Sequence, residues 1–515
     1  MLSLKDLGQP LEFWEYFEKI SKIPRCSQYE ERIRNYIQSE GERFGFKTQV
    51  DKAGNLAIFI PASVSQEERI ILQCHLDMVC EKNEGIVHDF LNDPLKLKII
   101  EIDNEKWIVA DGTSLGADNG TGICYLLSLM KKIHDKSLKF DSLSFTLIFT
   151  ILEEYNMGGV KNMEKDLVNG NYLINLDSGI DGMITIGCTG GIGFTAEIET
   201  NPSSVNQING KFIPLKLKVT GLVGGHSGGN INLGRANAIK VLIEILWKLN
   251  HQFSIFISSI DGGSAANAIP RESNAILYVR EDQLAKIKEF FKVISSETKI
   301  LFEGIEKNMK LSIESIASPK EHNIISEKVQ GKLLNFLNVV PSGPLSLYPG
   351  IKILAYTSTN LGILKTEKEY IKMRMLHRSF SGYHNKTTCE KIKTLLEMSG
   401  LKANIKITGS YPPWTPNFKL KFLDLAKEAH YEVYNKEAKI IAIHGGLEST
   451  VIINLNPQIE AIAIGPTTRD VHSPNERLLI KSVERTWNFL LAILKKLEIK
   501  NSLKNSTKSR WKALL

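Results

Sequence analysis

The chain has 515 residues, too many for one ordinary core, so two or more domains are expected. Hydrophobic residues make up 43% and charged residues 23%, the balance of a globular protein rather than of a disordered or fibrous one. The formal charge of +7, from 64 basic and 57 acidic residues, is mild and scattered, with no basic stripe interleaved with aromatics, so nucleic-acid binding is not expected.

The first residues, MLSLKDLGQPLEFWEYF, contain no basic segment followed by an apolar core, so no secretory leader is read there. No run of about 18 apolar residues is present, and no membrane span is expected. The six cysteines (Cys26, Cys74, Cys80, Cys124, Cys188 and Cys389) form no CxxC pair and resemble no disulfide framework. That pattern fits reduced thiols and a cytoplasmic location. Cys74 is read as a small buried hydrophobe, not as a ligand.

In chain order, Phe13, Trp14, Phe17 and Ile20 set a helical stripe over residues 11–22. Residues 55–60 and 69–75 read as strands, the second with the continuous apolar run Ile70-Ile71-Leu72 of a strand covered on both faces. Residues 121–134 read as a helix that Asp118 or Asn119 would cap. Residues 143–152 form a further buried strand, ending in Glu153-Glu154, and residues 172–177 another, ending in Asp177. Strands alternating with helices predict an α/β domain with a mixed, mainly parallel sheet.

Near residue 190 the pattern changes. Gly190-Gly191 and the polar stretch 201–209 read as a boundary or linker. Between about 212 and 380 the strands alternate apolar with polar, as in Leu215-Lys216-Leu217-Lys218-Val219, and helices are expected near 235–249 and 283–295. This predicts an inserted α+β lid domain with one exposed sheet face. Past Tyr411-Pro412-Pro413-Trp414 the α/β pattern returns, with a helix at 418–432, a strand at 459–464 and a helix at 481–497. The basic, polar end is expected to fray. The expected organisation is a first catalytic segment at 1–189, the insert at 190–410 and a second catalytic segment at 411–515.

In open α/β sheets, ligands bind beyond the carboxyl ends of the strands. Three predicted strands end in potential metal ligands: His75-Leu76-Asp77, Glu153-Glu154 and Asp177. Asp118 lies at a helix start, and His472 follows the 459–464 strand. Each residue alone is an ordinary polar loop position. Together they share one sheet edge, and two adjacent carboxylates straight after a long apolar strand cost several kcal/mol each to bury without a cation. Imidazole and carboxylate without thiolate suit Zn²⁺, Mn²⁺ or Co²⁺. Two histidines and three carboxylates exceed the needs of one catalytic zinc but suffice for two ions that share a bridging carboxylate.

The strings HLDMVCEKN, VHDF, GTSLGADNGTG, LEEYNMGG, INLDS, GGHSGG, NAIPRE, YPPW, HGGLE and GPTTRDVHSPNE follow one another along the chain, within a resemblance that spans roughly residues 10–495. In this order they resemble the peptidase D family, the aminoacyl-histidine (Xaa-His) dipeptidases, within the clan of two-zinc aminoacylases, carboxypeptidases and dipeptidases. The resemblance implies a two-metal dipeptidase, with Zn²⁺ foremost, that uses a metal-bridged hydroxide. Asp118 would bridge the ions, with His75 and Asp177 completing one set of ligands and Glu154 and His472 the other. Asp77 would hold the His75 imidazole, and Glu153 would be the general base. Glu153 and Glu154 are expected to point to opposite faces of the strand end.

In the insert, the resemblance makes His226, within GGHSGG, a donor to the developing oxyanion. Asn267 and Arg378 would anchor the substrate carboxylate, for which an Arg fork is suited. Ala265-Ala266 precede Asn267 where the family pattern suggests a basic residue. Glu448 is a candidate for the substrate amino group, and His444 either lines the site or belongs to a structural loop. The expected partner is a small peptide substrate, and the resemblance admits a homodimer through the insert. A tripeptidase, carboxypeptidase or N-deacylase of the same clan would use the same metal site. A non-catalytic binding protein on this fold would have lost Glu153 or a ligand, and none is missing.

Overall fold

A computed structural model describes residues 7–65, 67–317, 323–349 and 351–514. The chain divides into two compact units. The first comprises residues 1–187, 416–442 and 447–515, and the second residues 188–415 and 443–446. The sequence placed the boundaries at 189/190 and 410/411. It gave no sign that the short 443–446 segment belongs with the second unit.

The first unit is built on an eight-stranded sheet in the order Lys47–Val50, Leu56–Ile60, Leu143–Thr150, Glu68–His75, Tyr172–Asn175, Glu460–Ala463, Met183–Cys188 and Lys439–Ile443. The strand Glu68–His75 runs parallel to both its neighbours, and Glu460–Ala463 runs parallel to Tyr172–Asn175. The carboxyl ends of four central strands therefore share one edge. Ile70, Ile71 and Leu72 are all fully buried, as both faces of a parallel sheet must be. The helix Leu11–Ile20 buries its Phe13, Trp14, Phe17 and Ile20 stripe, and the Phe13 ring lies 4.8 Å from that of Tyr125 on the helix Ala117–His134. Placing Glu460–Ala463 inside this sheet returns the C-terminal part of the chain to the first domain. At the turn beyond that strand, a Cβ on Gly465 would fall 1.8 Å from the Ser178 carbonyl oxygen, a closeness only glycine permits.

A four-stranded sheet in the same unit joins Thr468–Arg469, Arg477–Leu479, Glu105–Ala110 and Leu97–Ile102. The loop between the first two of these strands carries His472.

The second unit holds an antiparallel sheet in the order Lys310–Ser315, Phe212–Thr220, Ser273–Arg280, Ile255–Gly262, Ile351–Thr366, Tyr370–Ser379, Gly190–Glu199 and Ala403–Tyr411. Leu215, Leu217 and Val219 are buried while Lys216 and Lys218 between them are not, as expected of a sheet with one covered face. The helices Ala238–Gln252 and Leu284–Phe302 match the two expected, and Glu327–Val339 and Gly382–Met398 are additional.

Several expectations are corrected. Gly190-Gly191 are no linker: they open a strand paired on both sides, and a Cβ on Gly191 would meet the Tyr411 ring at 2.5 Å. The C-terminal helix, expected over 481–497, runs from Ile480 to Leu514 and takes in most of the 501–515 end that was expected to fray, in keeping with a segment that has neither glycine nor proline to stop it. Cys26 and Cys80 are joined in a disulfide, so the argument from six reduced thiols to a cytoplasmic location does not hold for this pair. Cys74, Cys124, Cys188 and Cys389 are free and buried. Among the described residues no helix is long and apolar enough to cross a membrane. Thiol titration of the denatured, unreduced protein should give four thiols, rising to six after reduction. Six before reduction would contradict the Cys26–Cys80 bond.

Candidate metal centre

At the shared strand edge, the end of Glu68–His75 delivers His75 and then Asp77. Both are buried, at 1% and 0% exposure. His75 Nδ1 lies 3.0 Å from the Asp77 carbonyl oxygen and 3.5 Å from its carboxylate, which leaves Nε2 facing outward. Nε2 is 3.0 Å from Asp118 Oδ1 and 3.7 Å from Asp177 Oδ1. On the other side, His472 Nε2 is 3.3 Å from Asp118 Oδ2 and 2.9 Å from Glu154 Oε1. Each oxygen of Asp118 thus addresses a different imidazole. Two triads, His75–Asp118–Asp177 and Asp118–Glu154–His472, bring their ligand atoms within 4.8 Å of one another and share Asp118. A further group of the same dimension joins His75, Glu153 and Glu154.

Asp77 organises this edge. Its carboxylate accepts from Ser27 Oγ at 2.6 Å and from the backbone N–H groups of Glu153 and Glu154 at 3.0 Å each. Burial works to raise its pKa, but His75, Ser27 and the Glu153 N–H outweigh it and hold the group below its usual value. Carboxylates that accept backbone N–H groups are stabilised in the charged form.

Glu153 and Glu154 do not lie on a strand end. The strand stops at Thr150, Leu152 takes a left-handed conformation (φ 58°), and Glu153–Asn156 form a helical turn. The expectation that the two side chains point to opposite faces is corrected: as successive residues of a helical turn, each brings a carboxylate oxygen within 4.8 Å of the other and of a His75 ring nitrogen. The expectation of capping at 118 or 119 is also corrected: neither side chain caps the helix Ala117–His134. Asp118 faces the two histidines, and the Asn119 amide donates to the Leu176 carbonyl and to Asp177 Oδ1. The peptide between them is cis. His472 also has a left-handed backbone (φ 62°), a conformation costly for non-glycine residues and concentrated at functional sites.

The electrostatics of the cluster call for a cation. Burial and the charge of Glu154 push Glu153 well above the usual carboxylate range, and burial with Asp118 raises Glu154 and Asp177. Burial disfavours the charged form of both histidines, yet the surrounding carboxylates override it. His75 is raised well above its usual value, chiefly by Asp177 and Asp118, and His472 is raised to about 11 by Asp118 and Glu154. Carboxyl groups whose pKa is raised beside imidazoles whose pKa is also raised mark an excess of negative charge. Divalent cations relieve that excess directly, and the imidazole–carboxylate donor set suits Zn²⁺, Mn²⁺ or Co²⁺.

Two residues of the surrounding shell went unnoticed in the sequence. Arg25 donates to the carbonyls of Leu76 and Asp77, and Glu476 accepts from the N–H groups of Leu115, Gly116 and Asp118. Glu476 lies within the HSPNE string, which was a signal, whereas nothing around Arg25 marks it. Glu448 is fully buried in the first unit, where its Oε2 receives Gln73 Nε2 at 2.6 Å and the Thr150 hydroxyl. Burial raises it to about 8.

In the second unit, His226 Nδ1 accepts from the Gly229 N–H at 3.2 Å, which places the proton of a neutral ring on Nε2. Arg378 Nη2 lies 3.3 Å from that Nε2, and Arg378 Nη1 donates to the Tyr411 hydroxyl at 2.8 Å. The Arg378 guanidinium and the His226 ring thus lie side by side, with the Tyr411 hydroxyl on the other guanidinium nitrogen. Asn267 is exposed, and its carbonyl oxygen accepts from the Ser227 N–H at 2.7 Å. His444 is buried with Nε2 2.6 Å from Ser358 Oγ, and burial together with Arg378 lowers it to about 3.

Comparison with known proteins places this geometry in context. The profile of peptidase family M20/M25/M40 matches residues 71–496. The chain is 33% identical over 501 residues to a protein of Escherichia coli (strain K12) described as a cytosol non-specific dipeptidase, covering 96% of this chain and all of that one. The crystal structure of aminoacylhistidine dipeptidase from Vibrio alginolyticus aligns with a TM-score of 0.78 and 30% identity, over 96% of this chain and 98% of that one. A tripeptidase from Staphylococcus aureus shares the fold at a TM-score of 0.54 and 16% identity, covering 95% and 98% of the two chains.

The ligand assignment makes a direct prediction. Glu154→Ala should reduce the metal bound by purified protein from two ions per chain toward one in elemental analysis. Unchanged stoichiometry of two would remove Glu154 from the ligand set.

Proposed function

Because the chain belongs to peptidase family M20/M25/M40, as a metallo-dipeptidase, we propose that it hydrolyses dipeptides, including Xaa-His dipeptides, at a pair of Zn²⁺ ions held by His75, Asp118, Asp177, Glu154 and His472. The observation that carries this reading is the single carboxylate of Asp118, with one oxygen toward each histidine and a further carboxylate beside each. A bound cation pair supplies Lewis acidity, polarising the scissile carbonyl and making water nucleophilic near neutral pH.

The chain's own residues supply the rest. Asp77 holds His75 through Nδ1 and so fixes which nitrogen faces the centre. The same carboxylate pins the Glu153–Glu154 turn, so that Glu154 and Glu153 are delivered together. Glu153 is the general base: it takes the proton of the attacking water and passes it to the departing amine. Its raised affinity for a proton suits a group that must hold one between these two transfers.

His226 and Arg378 of the second unit meet the charge of the substrate. The protonated Nε2 of His226 donates to the carbonyl oxygen as it gains charge. Arg378, with Tyr411 fixing one end of its guanidinium, receives the terminal carboxylate, and Asn267 adds an amide to that contact. Glu448, the candidate for the substrate ammonium, is fully buried against Gln73 and Thr150, and its pKa of about 8 leaves it largely neutral near neutral pH. His444, neutral and bonded to Ser358, shapes the polar surface beside Arg378.

A broader dipeptidase is the second reading, favoured by the description of the Escherichia coli relative as non-specific. A panel of dipeptides and tripeptides with and without C-terminal histidine separates the two. The proposal expects cleavage of dipeptides, slow or no cleavage of tripeptides, and the highest kcat/KM on Xaa-His. Equal kcat/KM across C-terminal residues would favour the broad reading, and preferred tripeptide cleavage would remove both.

The role of Glu153 has its own test. Glu153→Gln should lower kcat by about 10²–10⁴-fold, the usual contribution of a positioned general base, while two ions per chain remain bound. Near-wild-type turnover would exclude Glu153 as the base, and loss of metal would make it a ligand.

A further inference from the structure

The bridging role of Asp118 requires that its backbone be held so that each oxygen meets a different imidazole, and two buried ionisable side chains, one from each end of the chain, grip that backbone. Glu476 is 2% exposed and Arg25 is 3% exposed. Glu476 Oε2 accepts from the N–H groups of Leu115 and Gly116, each at 2.8 Å, and Oε1 accepts from the Asp118 N–H at 3.1 Å. From the other side, Arg25 Nη2 donates to the Gly116 carbonyl, while Nη1 donates to the carbonyls of Leu76 at 2.9 Å and Asp77 at 3.2 Å. The Gly116 residue is thus held at its N–H by a carboxylate and at its C=O by a guanidinium. The same guanidinium ties this turn to the segment that follows His75.

The sequence has been cleared to make room for this grip. A Cβ on Gly116 would lie 2.6 Å from Arg25 Nη2, and one on Gly120 would lie 2.7 Å from the same atom. Both glycines of the GADNG string are explained by the position of one side chain, and Gly116 in addition has φ +67°. No carboxylate oxygen pairs directly with the Arg25 guanidinium among the described residues. Its charge is balanced at one remove by Glu476, Asp77 and Asp118. The Nη groups are placed against carbonyls, but Arg25 Nε is buried without a hydrogen-bond partner, so the arrangement is costly.

We propose that Arg25 and Glu476 are positioning residues for the metal centre: together they lock the Leu115–Asp118 turn against the His75–Asp77 segment, and thereby set the orientation in which Asp118 is shared between two cations. The inference rests on the two-cation reading of the site. Neither residue touches substrate, so their effect is exerted through Asp118 and His75.

Two conservative variants separate positioning from general support of the fold. Glu476→Gln keeps the shape but has only one acceptor oxygen, so either the Asp118 N–H or the Leu115 and Gly116 pair faces an amide NH₂. Arg25→Lys keeps the charge but cannot spread a planar fork over three carbonyls. Full-length wild type and both variants, stripped of metal, are titrated with Co²⁺. The visible d–d absorption reports coordination geometry, elemental analysis reports stoichiometry, and urea unfolding of the metal-free proteins reports stability.

Wild type should bind two Co²⁺. Both variants should bind at least one of them about 10–100-fold more weakly, the usual cost of losing a group that orients a ligand, with an altered d–d spectrum. A folded Glu476→Gln protein with wild-type affinity and spectrum would overturn the proposal, whatever its urea midpoint. Should Arg25→Lys fail to fold, Glu476→Gln decides. Should Glu476→Gln itself fail to fold, Glu476 serves the domain as a whole and the proposal falls. Failure of the wild type to bind two cations would instead remove the two-cation reading and this inference with it.

Discussion

The buried carboxylate of Asp77 is the constraint on which the metal centre depends. It is enclosed completely, and all its partners come from other parts of the first unit's chain or from the adjacent ligand. Ser27 reaches it from the N-terminal region, His75 from the preceding strand end, and the N–H groups of Glu153 and Glu154 from the turn after a neighbouring parallel strand. A charge buried at this depth is tolerable only when every such partner is present. Asp77 therefore couples the register of two parallel strands to the geometry of the site. A shift of either strand would leave it with unmatched lone pairs. The strand end at His75, the short helical turn at Glu153 and the ring orientation of His75 all meet at this single ion.

The distribution of charge follows from the same packing. Asp118, the carboxylate that faces both imidazoles, is held well below its usual pKa even though burial opposes this. Glu153, Glu154 and Asp177 are driven up by burial and by one another. The cluster thus divides into one carboxylate whose pKa is lowered and three whose pKa is raised. A site designed only to be stable would have replaced such groups by apolar ones of similar volume, often with no loss of stability. Their retention at a strand edge, with left-handed backbone at Leu152 and His472, is what a site that must bind cations and move a proton requires.

Much of this was legible in the sequence because it depends on short-range pattern. Continuous apolar runs located the parallel strands, and their ends located His75, Asp77, Glu153, Glu154 and Asp177. The alternation at Leu215–Val219 located a half-exposed sheet. What was not legible depends on contacts between residues far apart in the chain. Glu153 and Glu154 read as a strand terminus because the apolar run continues through Ile151 and Leu152. The left-handed turn at Leu152 that ends the strand is imposed by tertiary bonds, including one from the Leu152 N–H to Glu30. Asn119 read as a cap because Asx residues at helix starts usually are caps, but its amide is drawn to the Leu176 carbonyl and Asp177. Gly190 and Gly191 read as a linker because two glycines usually weaken a strand, whereas here they admit the Tyr411 ring and the backbone at Tyr411–Pro413. The Cys26–Cys80 bond spans 54 residues and follows no spacing rule.

The stretch Asp470–Glu476 shows why the end of the chain must return to the first domain. It delivers His472, which meets Asp118 and Glu154 through its side chain, and four residues later Glu476, which holds the backbone of the Asp118 turn. A flexible loop could supply a ligand, but it could not also serve as a brace. This loop is fixed by the strands Thr468–Arg469 and Arg477–Leu479 on either side, by the Arg477–Asp470 ion pair within it, and by the pairing of Arg477–Leu479 with Glu105–Ala110. The loop is therefore rigid at both ends while its middle carries strained backbone at Asp470 and His472. A late loop so fixed means that the centre is complete only when the last strands have joined the sheet. The triad of His75, Asp118 and Asp177 comes from the N-terminal segment, yet the backbone of the carboxylate both triads share donates to a residue more than 350 positions away.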